Sequence, residues 1–542
     1  MQPNTLRSER AEQLYAPPHE TESICPECNR IIAALVFERD EKIWISKTCP
    51  DHGPCEELYF GSAKMFKKFA RYLHDGKGIE NPNVSLAREN VVCPMDRGLC
   101  ASHLSHSALT NLVATNRCDL ACWYCFFYAK KGGDASSSYV YEPTLDQIRA
   151  MVATVRAERP VPSNAIQITG GEPTLRKDIV EIVKICKEGG INHVQLNTNG
   201  INLALYPTLI KRLCDAGVNT VYMSFDGVTP RNNGKNYWEA PYAIENCRKA
   251  GAGVVLVPAV MKSANDQELG SIVRFAQSNI DIVRAINFQP ISLVGRMTKV
   301  EREKYRITIP DAIHLIEAQT NGEIVEDDWF PVPSCTPFTH LVEAFTKKPQ
   351  YELSQHFACG AGTYVFQDDN RKLIPITRFV DVEGFFNYLQ DKADEIGDGS
   401  SRLVVGPKIL ANVSKYIDSA KAPKDLNLSK LLLNALLKHD YQALGDFHHG
   451  AMFLGMMHFQ DKYNQDRERV MRCGIDYVTP DQRLIPFCAF NVIPEWYRDR
   501  IQHAYSIPIE QWEKQTGQLL EQGMYRGSLR KRKREIAKIP VV

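Results

Sequence analysis

Three cysteines, Cys118, Cys122 and Cys125, lie in the stretch "TNRCDLACWYC". Iron–sulfur cubes and structural zinc sites normally take four protein ligands, yet this run stops at three. Three thiolates on one loop hold three corners of a cubane cluster and leave the fourth iron open. A glycine-rich neighbour, Gly170–Gly171–Glu172 in "GGEPT", leaves room there for a small chelating molecule. A second group, Cys25, Cys28 and Cys49, has the spacing of two knuckles and reads as a mononuclear iron or zinc site. Its expected fourth ligand is Cys55, giving a rubredoxin-like set, with His52 and its tighter C-x-x-H knuckle as the alternative. Six more cysteines, Cys93, Cys100, Cys335, Cys359, Cys473 and Cys488, suffice for one or two auxiliary clusters. A histidine (His103, His106, His356, His448 or His449) or the substrate is available to fill an open position. Cys186, Cys214 and Cys247 fall on helical stretches, where cysteine behaves as a small hydrophobe, and read as core.

These loops need strands to present them. Between residues 108 and 292, β-rich runs ("LTNLVAT", "AIQIT", "HVQLNT", "TVYMSF", "VVLVPAV", "AINFQP") alternate with amphipathic helices. The helix over 144–157 opens on Thr144 and Gln147 in a capping-box pattern and repeats Leu145, Ile148, Met151, Val152 and Val155 at helical spacing. Ile179, Ile182, Val183 and Cys186 mark the next, which stops at Gly189–Gly190. Six such units predict an α/β fold, a partial (βα)6 TIM-like barrel with right-handed crossovers. Chemistry then collects at the carboxyl ends of the strands. Those ends carry the cysteine loop, "GGEPT", "NTNG" and "SFDG" in turn. The domains expected are an N-terminal metal ribbon (1–75), a cysteine-bearing linker (76–107), the barrel (108–300) and a C-terminal auxiliary-cluster α+β domain (301–542).

A CxxxCxxC loop after the first strand, Tyr124 before its last cysteine and "GGE" after the second strand resemble the radical S-adenosylmethionine enzymes. By that resemblance the missing ligand is the amino and carboxyl groups of the cosubstrate. Electron transfer from the cluster then yields a 5'-deoxyadenosyl radical that abstracts hydrogen. Gly170, Gly171 and Glu172 would meet the methionyl amino group, Asn199, Ser224 and Asp226 are placed to bind ribose or carboxylate, and Gln289, ending the sixth strand, joins Tyr124 among the expected cosubstrate-binding residues. Longer segments, "CPMDRGLC", "TNRCDLACWYCFFYAK", "SFDGVTP", "NFQPISLVGRM", "CGAGTYVFQDD", "PITRFVDVEGF" and "RLIPFCAFN", resemble the archaeal tetraether lipid synthase family. That resemblance implies joining of terminal methyl carbons on an archaeal diether phospholipid, with auxiliary 4Fe–4S clusters and a low-potential electron donor. The pattern is departed from at Arg97 and at Ile376–Thr377, where cysteines are expected. The alternative is a radical enzyme modifying a pterin, a peptide or tRNA; a non-catalytic metal-stabilised scaffold is the further rival.

The bulk numbers fit these readings. Among 542 residues, 44% are hydrophobic and 24% charged, as in ordinary globular proteins, and a net charge of +1 leaves no footprint for nucleic acid. Sixteen cysteines without a secretory signal argue for ligands rather than disulfides. The longest apolar run, "GVVLVPAVM", falls far short of the ~20 residues that span a bilayer. The expectation is a cytoplasmic chain, with peripheral membrane contact allowed through the basic "RKRKR" tail, while the Leu/Met-rich stretch 426–460 reads as core or as the lining of a hydrophobic tunnel.

Overall fold

A computed structural model describes residues 15–81, 98–125, 127, 139–294, 298–423, 451–520 and 525. Cys93, Arg97, His448, His449 and the "RKRKR" tail lie outside them, as does the stretch before residue 451 of the Leu/Met-rich segment.

The N-terminal ribbon is an antiparallel meander of β1 (His19–Ile24), β2 (Ile31–Arg39), β3 (Lys42–Cys49) and β4 (Gly53–Phe60). Alternation buries Val36, Ile43 and Ile45 on one face, the period-2 pattern of a half-buried sheet. That face docks against the loop 459–466. Ser23 Oγ donates to the Gln465 carbonyl, the buried Lys47 ammonium donates to Lys462 O at 2.9 Å, and Tyr59 Oη donates to Asp466 at 2.6 Å.

The barrel strands are β5 (Leu109–Thr115), β6 (Ala165–Gly170), β7 (His193–Thr198), β8 (Val218–Ser224), β9 (Gly253–Val257) and β10 (Val283–Pro290), each parallel to the next. Between them run α1 (Leu145–Ala157), α2 (Ile179–Glu188), α3 (Pro207–Ala216), α4 (Ala240–Ala250) and α5 (Leu269–Ser278). The α/β partial barrel read from the alternation is the fold observed. Thr144 caps α1 as its sequence implies: its hydroxyl accepts from Gln147 N, and Gln147 Oε1 accepts from Thr144 N at 2.8 Å. The strand residues facing the helices are apolar (Ile166, Ile168, Val194, Leu196, Val221, Leu256 and Ile286 are all buried), while the alternate positions turn into the barrel.

The sheet does not end at residue 300. On one side β12 (Ala451–Met457) pairs parallel to β10, and β11 (Gly360–Gln367) pairs antiparallel to β12. On the other side β13 (Ile475–Val478) pairs parallel to β5, followed by β14 (Leu484–Pro486). Strand order is therefore β14-β13-β5-β6-β7-β8-β9-β10-β12-β11 along a 13-stranded sheet. Sequence distant from the barrel thus forms both of its edges, and the seam of the open barrel lies between them.

Candidate active site and metal centres

The cysteine loop leaves the end of β5 and is held by its neighbours before any ligand is considered. Arg117, just ahead of Cys118, pairs with Glu142 at 2.6 Å and stacks under the Trp512 ring at 4.6 Å. The glycine loop after β6 lies against it backbone to backbone: Gly171 N donates to Thr115 O at 2.8 Å and Glu172 N to Arg117 O at 2.7 Å. Gly170 has a φ of 141°, and a Cβ on it would lie 2.2 Å from Thr115 O; one on Gly171 would lie 2.1 Å from Arg117 O. Only glycine permits this approach.

Cys118, Cys122 and Cys125 all line one cavity of about 290 Å³ at the carboxyl ends of the strands. Gly170, Gly171, Asn199, Ser224, Gln289 and Tyr124 line it too, so most of the residues singled out for cosubstrate binding converge there. Among the described residues no fourth cysteine reaches this cavity. The donor set fits a cluster with one open corner.

Two residues differ from expectation. The Glu172 carboxylate is buried and already engaged: Thr174 Oγ1 and Thr198 Oγ1 donate to Oε1 at 2.5 and 2.8 Å, and Asn199 N donates to Oε2 at 2.8 Å. Burial, and then Asp119 nearby, push its pKa up to about 7. It ties the glycine loop to the end of β7 rather than facing the cavity. Asp226, 2% exposed, likewise turns inward: its Oδ2 accepts from the Tyr124 hydroxyl and lies 2.9 Å from the Lys235 ammonium, and its Oδ1 accepts from Ala259 N at 3.1 Å.

Lys235 was not legible as a site residue. It sits in the turn-rich "PRNNGKNYW", which offers no spacing to read, and only the fold carries it to the cavity wall. There its ammonium lies 4.9 Å above the Tyr124 ring. Burial opposes its charge, but Asp226 outweighs this and holds the ammonium protonated well above the usual lysine range. A cation fixed beside the cysteine loop is suited to a carboxylate.

The floor of the cavity is a belt of neutral amides, Asn111, Gln167, Asn197, Asn287 and Gln289, rising from β5, β6, β7 and β10. Gln167 Nε2 donates to Asn111 Oδ1 at 2.9 Å and Asn197 Nδ2 to Thr169 Oγ1 at 3.2 Å, which fixes their orientation. Phe459, Tyr477 and Phe487 form an aromatic wall, with the rings of Tyr477 and Phe487 stacked at 5.2 Å.

In the ribbon, the sulfurs of Cys25, Cys28 and Cys49 and a ring nitrogen of His52 lie within 4.8 Å of one another. His52 Nδ1 is 3.4 Å from Cys49 Sγ and 3.6 Å from Cys25 Sγ. Cys55 stands outside this group, which corrects the expectation that it is the fourth ligand. The reason is register: Cys49 pairs with Gly53 at the mouth of the β3–β4 turn, whereas Cys55 pairs with Lys47 further along the ladder. His52 lies in the turn itself, beside the other three.

The remaining cysteines divide. The Cys473 thiol donates to Ile475 O at 3.1 Å and lies close enough to Cys488 and Cys359 for the three thiols to perturb one another's titration, and Arg469 Nε donates to the Cys359 sulfur at 3.3 Å. Cys359 precedes β11 at one edge of the sheet, and Cys473 and Cys488 flank β13 and β14 at the other, so the three meet across the seam. They stand directly behind the cavity wall, since Phe487 and Ile475 neighbour them in sequence and line it. Cys335 is apart from this set; its thiol donates to Val332 O at 3.1 Å, and burial pushes its pKa up to about 11. Cys100 is disulfide-bonded. Cys186 and Cys247 are fully buried in the core and Cys214 partly so. His103 uses Nε2 on the Cys473 carbonyl at 2.7 Å, His106 accepts from Glu352 N at 3.1 Å, and His356 accepts from Ala358 N at 3.2 Å.

Comparison with known proteins matches residues 112–276 to the Radical SAM superfamily and residues 17–61 to the HMPTM N-terminal zinc ribbon domain. A 7,8-dihydro-6-hydroxymethylpterin dimethyltransferase from Methanocaldococcus jannaschii is 45% identical over 504 residues, covering 91% of this chain and 97% of that protein. This chain belongs to that enzyme's family. The finding corrects the reading drawn from the longer segments: the pterin dimethyltransferase family takes the place of tetraether lipid synthesis, and the diether phospholipid is withdrawn as substrate. A probable GTP 3',8-cyclase from Sulfolobus acidocaldarius is 31% identical over 188 residues, 34% of this chain and 56% of that protein. The solved structure of methylornithine synthase aligns with 13% identity and a TM-score of 0.31 over 40% of this chain and 64% of that one, too slight a likeness to bear on the site. Membership of the radical SAM superfamily brings S-adenosylmethionine and a 4Fe–4S cluster, and the ribbon adds a further metal. Among the described residues no helix is long and apolar enough to cross a membrane.

Proposed function

We propose that this chain is a radical S-adenosylmethionine enzyme acting on a reduced pterin of the kind named in its Methanocaldococcus relative, 7,8-dihydro-6-hydroxymethylpterin. The observation that carries this is the amide belt facing an aromatic wall beside the cysteine loop. A flat heterocycle edged with ring donors and acceptors needs neutral amides at its rim and rings against its face.

Cys118, Cys122 and Cys125 hold the 4Fe–4S cluster, with the cosubstrate's amino and carboxyl groups at the open corner. When bound, the pair supplies an electron to the sulfonium and so a 5'-deoxyadenosyl radical. The chain's own residues position and exclude water. Lys235 pairs with the methionyl carboxylate, Asp226 and Tyr124 hold Lys235 in place, and Asn199, Ser224 and Gln289 line the remainder of the cosubstrate's bed. Cys25, Cys28, Cys49 and His52 hold iron or zinc, and Cys359, Cys473 and Cys488 hold an auxiliary cluster. Reduction comes from a low-potential electron donor.

The test is an anaerobic reaction of reconstituted protein, reductant, S-adenosylmethionine and 7,8-dihydro-6-hydroxymethylpterin, read by mass spectrometry. The expected result is a pterin heavier by one or more methyl groups, each drawn from a further S-adenosylmethionine that leaves as S-adenosylhomocysteine, together with 5'-deoxyadenosine and methionine from the molecule cleaved by the reductant's electron. Formation of 5'-deoxyadenosine with an unchanged pterin overturns the substrate while leaving cosubstrate cleavage standing.

A further inference from the structure

Arg469 is among the largest fully buried side chains of the protein, 2% exposed, in the short helix Arg467–Met471. Its Nη2 donates to His458 O at 2.6 Å and its Nε to Cys359 Sγ at 3.3 Å, and the Tyr59 ring lies 5.6 Å away. Among the described residues it makes no ion pair with a carboxylate. Asp466, close by in sequence, spends its oxygens on Thr21, Tyr59 and Glu468 N. A buried guanidinium without a counter-ion is strongly destabilising. The acidic group set directly against this one is the Cys359 thiol, whose sulfur accepts from its Nε at 3.3 Å. Neutral thiols do not balance a guanidinium; metal-bound thiolates do.

We propose that Arg469 is the counter-charge of the auxiliary cluster held by Cys359, Cys473 and Cys488, and that its charge and N–H···S bond set the reduction potential of that cluster. The inference rests on the reading that these cysteines hold a cluster. A cubane core on three thiolates carries a net charge of about −1, which one guanidinium neutralises. Net charge, hydrogen bonds to sulfur and exclusion of solvent are the levers by which a protein tunes such a centre, and Arg469 supplies the first two. Arg469 does not line the cavity, so it is a positioning residue rather than one that touches substrate. A cation near the cluster stabilises the state with the added electron and raises the potential.

The experiment uses the full chain with Cys118, Cys122 and Cys125 replaced by alanine, so that the seam cluster is the iron–sulfur centre that remains. Its reduction is followed by electron paramagnetic resonance at poised potentials, with Arg469 intact and as Arg469→Met, Arg469→Gln and Arg469→Lys. Arg469→Met is expected to lower the reduced-to-oxidised ratio at a fixed potential at least about tenfold, 59 mV for one electron, and Arg469→Lys to restore most of it. An unchanged midpoint in Arg469→Met overturns the proposal. If Arg469→Met does not hold the cluster, Arg469→Gln carries the same expectation and the same refutation. If neither neutral variant holds it, Arg469→Lys must, and a cluster-free Arg469→Lys overturns the counter-charge role. If the triple-alanine parent binds no iron–sulfur centre at all, the auxiliary-cluster reading itself falls, and the proposal with it.

Discussion

At the scale of single residues, the site divides between groups that face the cavity and groups that hold them. Lys235 faces it; Asp226, Tyr124 and Glu172 hold. If Lys235 pairs with the cosubstrate carboxylate, Lys235→Met weakens binding of S-adenosylmethionine by on the order of 10–100-fold. It leaves binding of decarboxylated S-adenosylmethionine, which lacks that carboxylate, almost unchanged. Equilibrium dialysis of both ligands against anaerobic, cluster-loaded protein distinguishes the cases, and an equal loss for both ligands contradicts the pairing. A second residue reports on the fold alone. Glu158, 4% exposed at the end of α1, accepts from Ser107 N at 2.7 Å while its other oxygen has no partner, and burial pushes its pKa up to about 7. Between the ordinary glutamate value of 4.5 and about 7, the folded state keeps a proton that the unfolded state has released. The stability this contributes is present at low pH and fades as pH rises through about 7. Glu158→Gln should therefore gain roughly 1–3 kcal/mol over wild type at pH 8 and nothing near pH 4.5. Denaturant melts across that range would show parallel curves if the idea is mistaken.

At the scale of elements, turns and strand ends decide which donors meet. In the ribbon, the β3–β4 turn brings His52 to Cys49, while the ladder carries Cys55 away to pair with Lys47. His52→Ala is expected to weaken metal retention by on the order of 10–100-fold or more, because a direct ligand outweighs the surrounding shell. Cys55→Ser should leave it intact. Chelator competition followed by metal analysis is the measurement; the reverse ranking would restore the four-cysteine set. In the barrel, Thr144 and Gln147 and the period of the α1 apolar face were readable because capping and amphipathicity are local. So were the six strands, whose short β-rich runs recur regularly between amphipathic helices. Lys235 and Arg469 were not readable, since their roles depend on neighbours more than a hundred residues away in one direction or the other.

At the scale of the whole molecule, the proposed auxiliary cluster would act as a clasp. Cys359 arrives from the β11 edge and Cys473 and Cys488 from the β13–β14 edge, with the 459–469 loop and the ribbon packed over them. Removing the clasp should loosen the seam. Cys473→Ser is expected to lower the melting temperature of the iron-loaded protein by on the order of 5 °C, and to bring it close to that of chelator-treated wild type. A variant that melts with iron-loaded wild type would mean that the seam is held by packing alone.

The sequence by itself determined the chemistry on offer and the frame that carries it. The three-cysteine loop, the glycine loop and the alternating strands and helices are each local patterns, and local patterns are dictated by spacing and period. Longer segments, read for substrate, led to a lipid that full-length comparison replaced with the pterin family. Tertiary structure decided the rest: His52 rather than Cys55 beside the ribbon thiols, Cys359 brought near Cys473 and Cys488 from the opposite edge of the sheet, and Lys235 and Arg469 carried to the two cysteine groups. The last two are long-range matters of register and sheet closure, set by how residues far apart in the chain pack; the first turns on a tight turn whose C-x-x-H spacing is visible in the chain while the ladder register that carries Cys55 away is not.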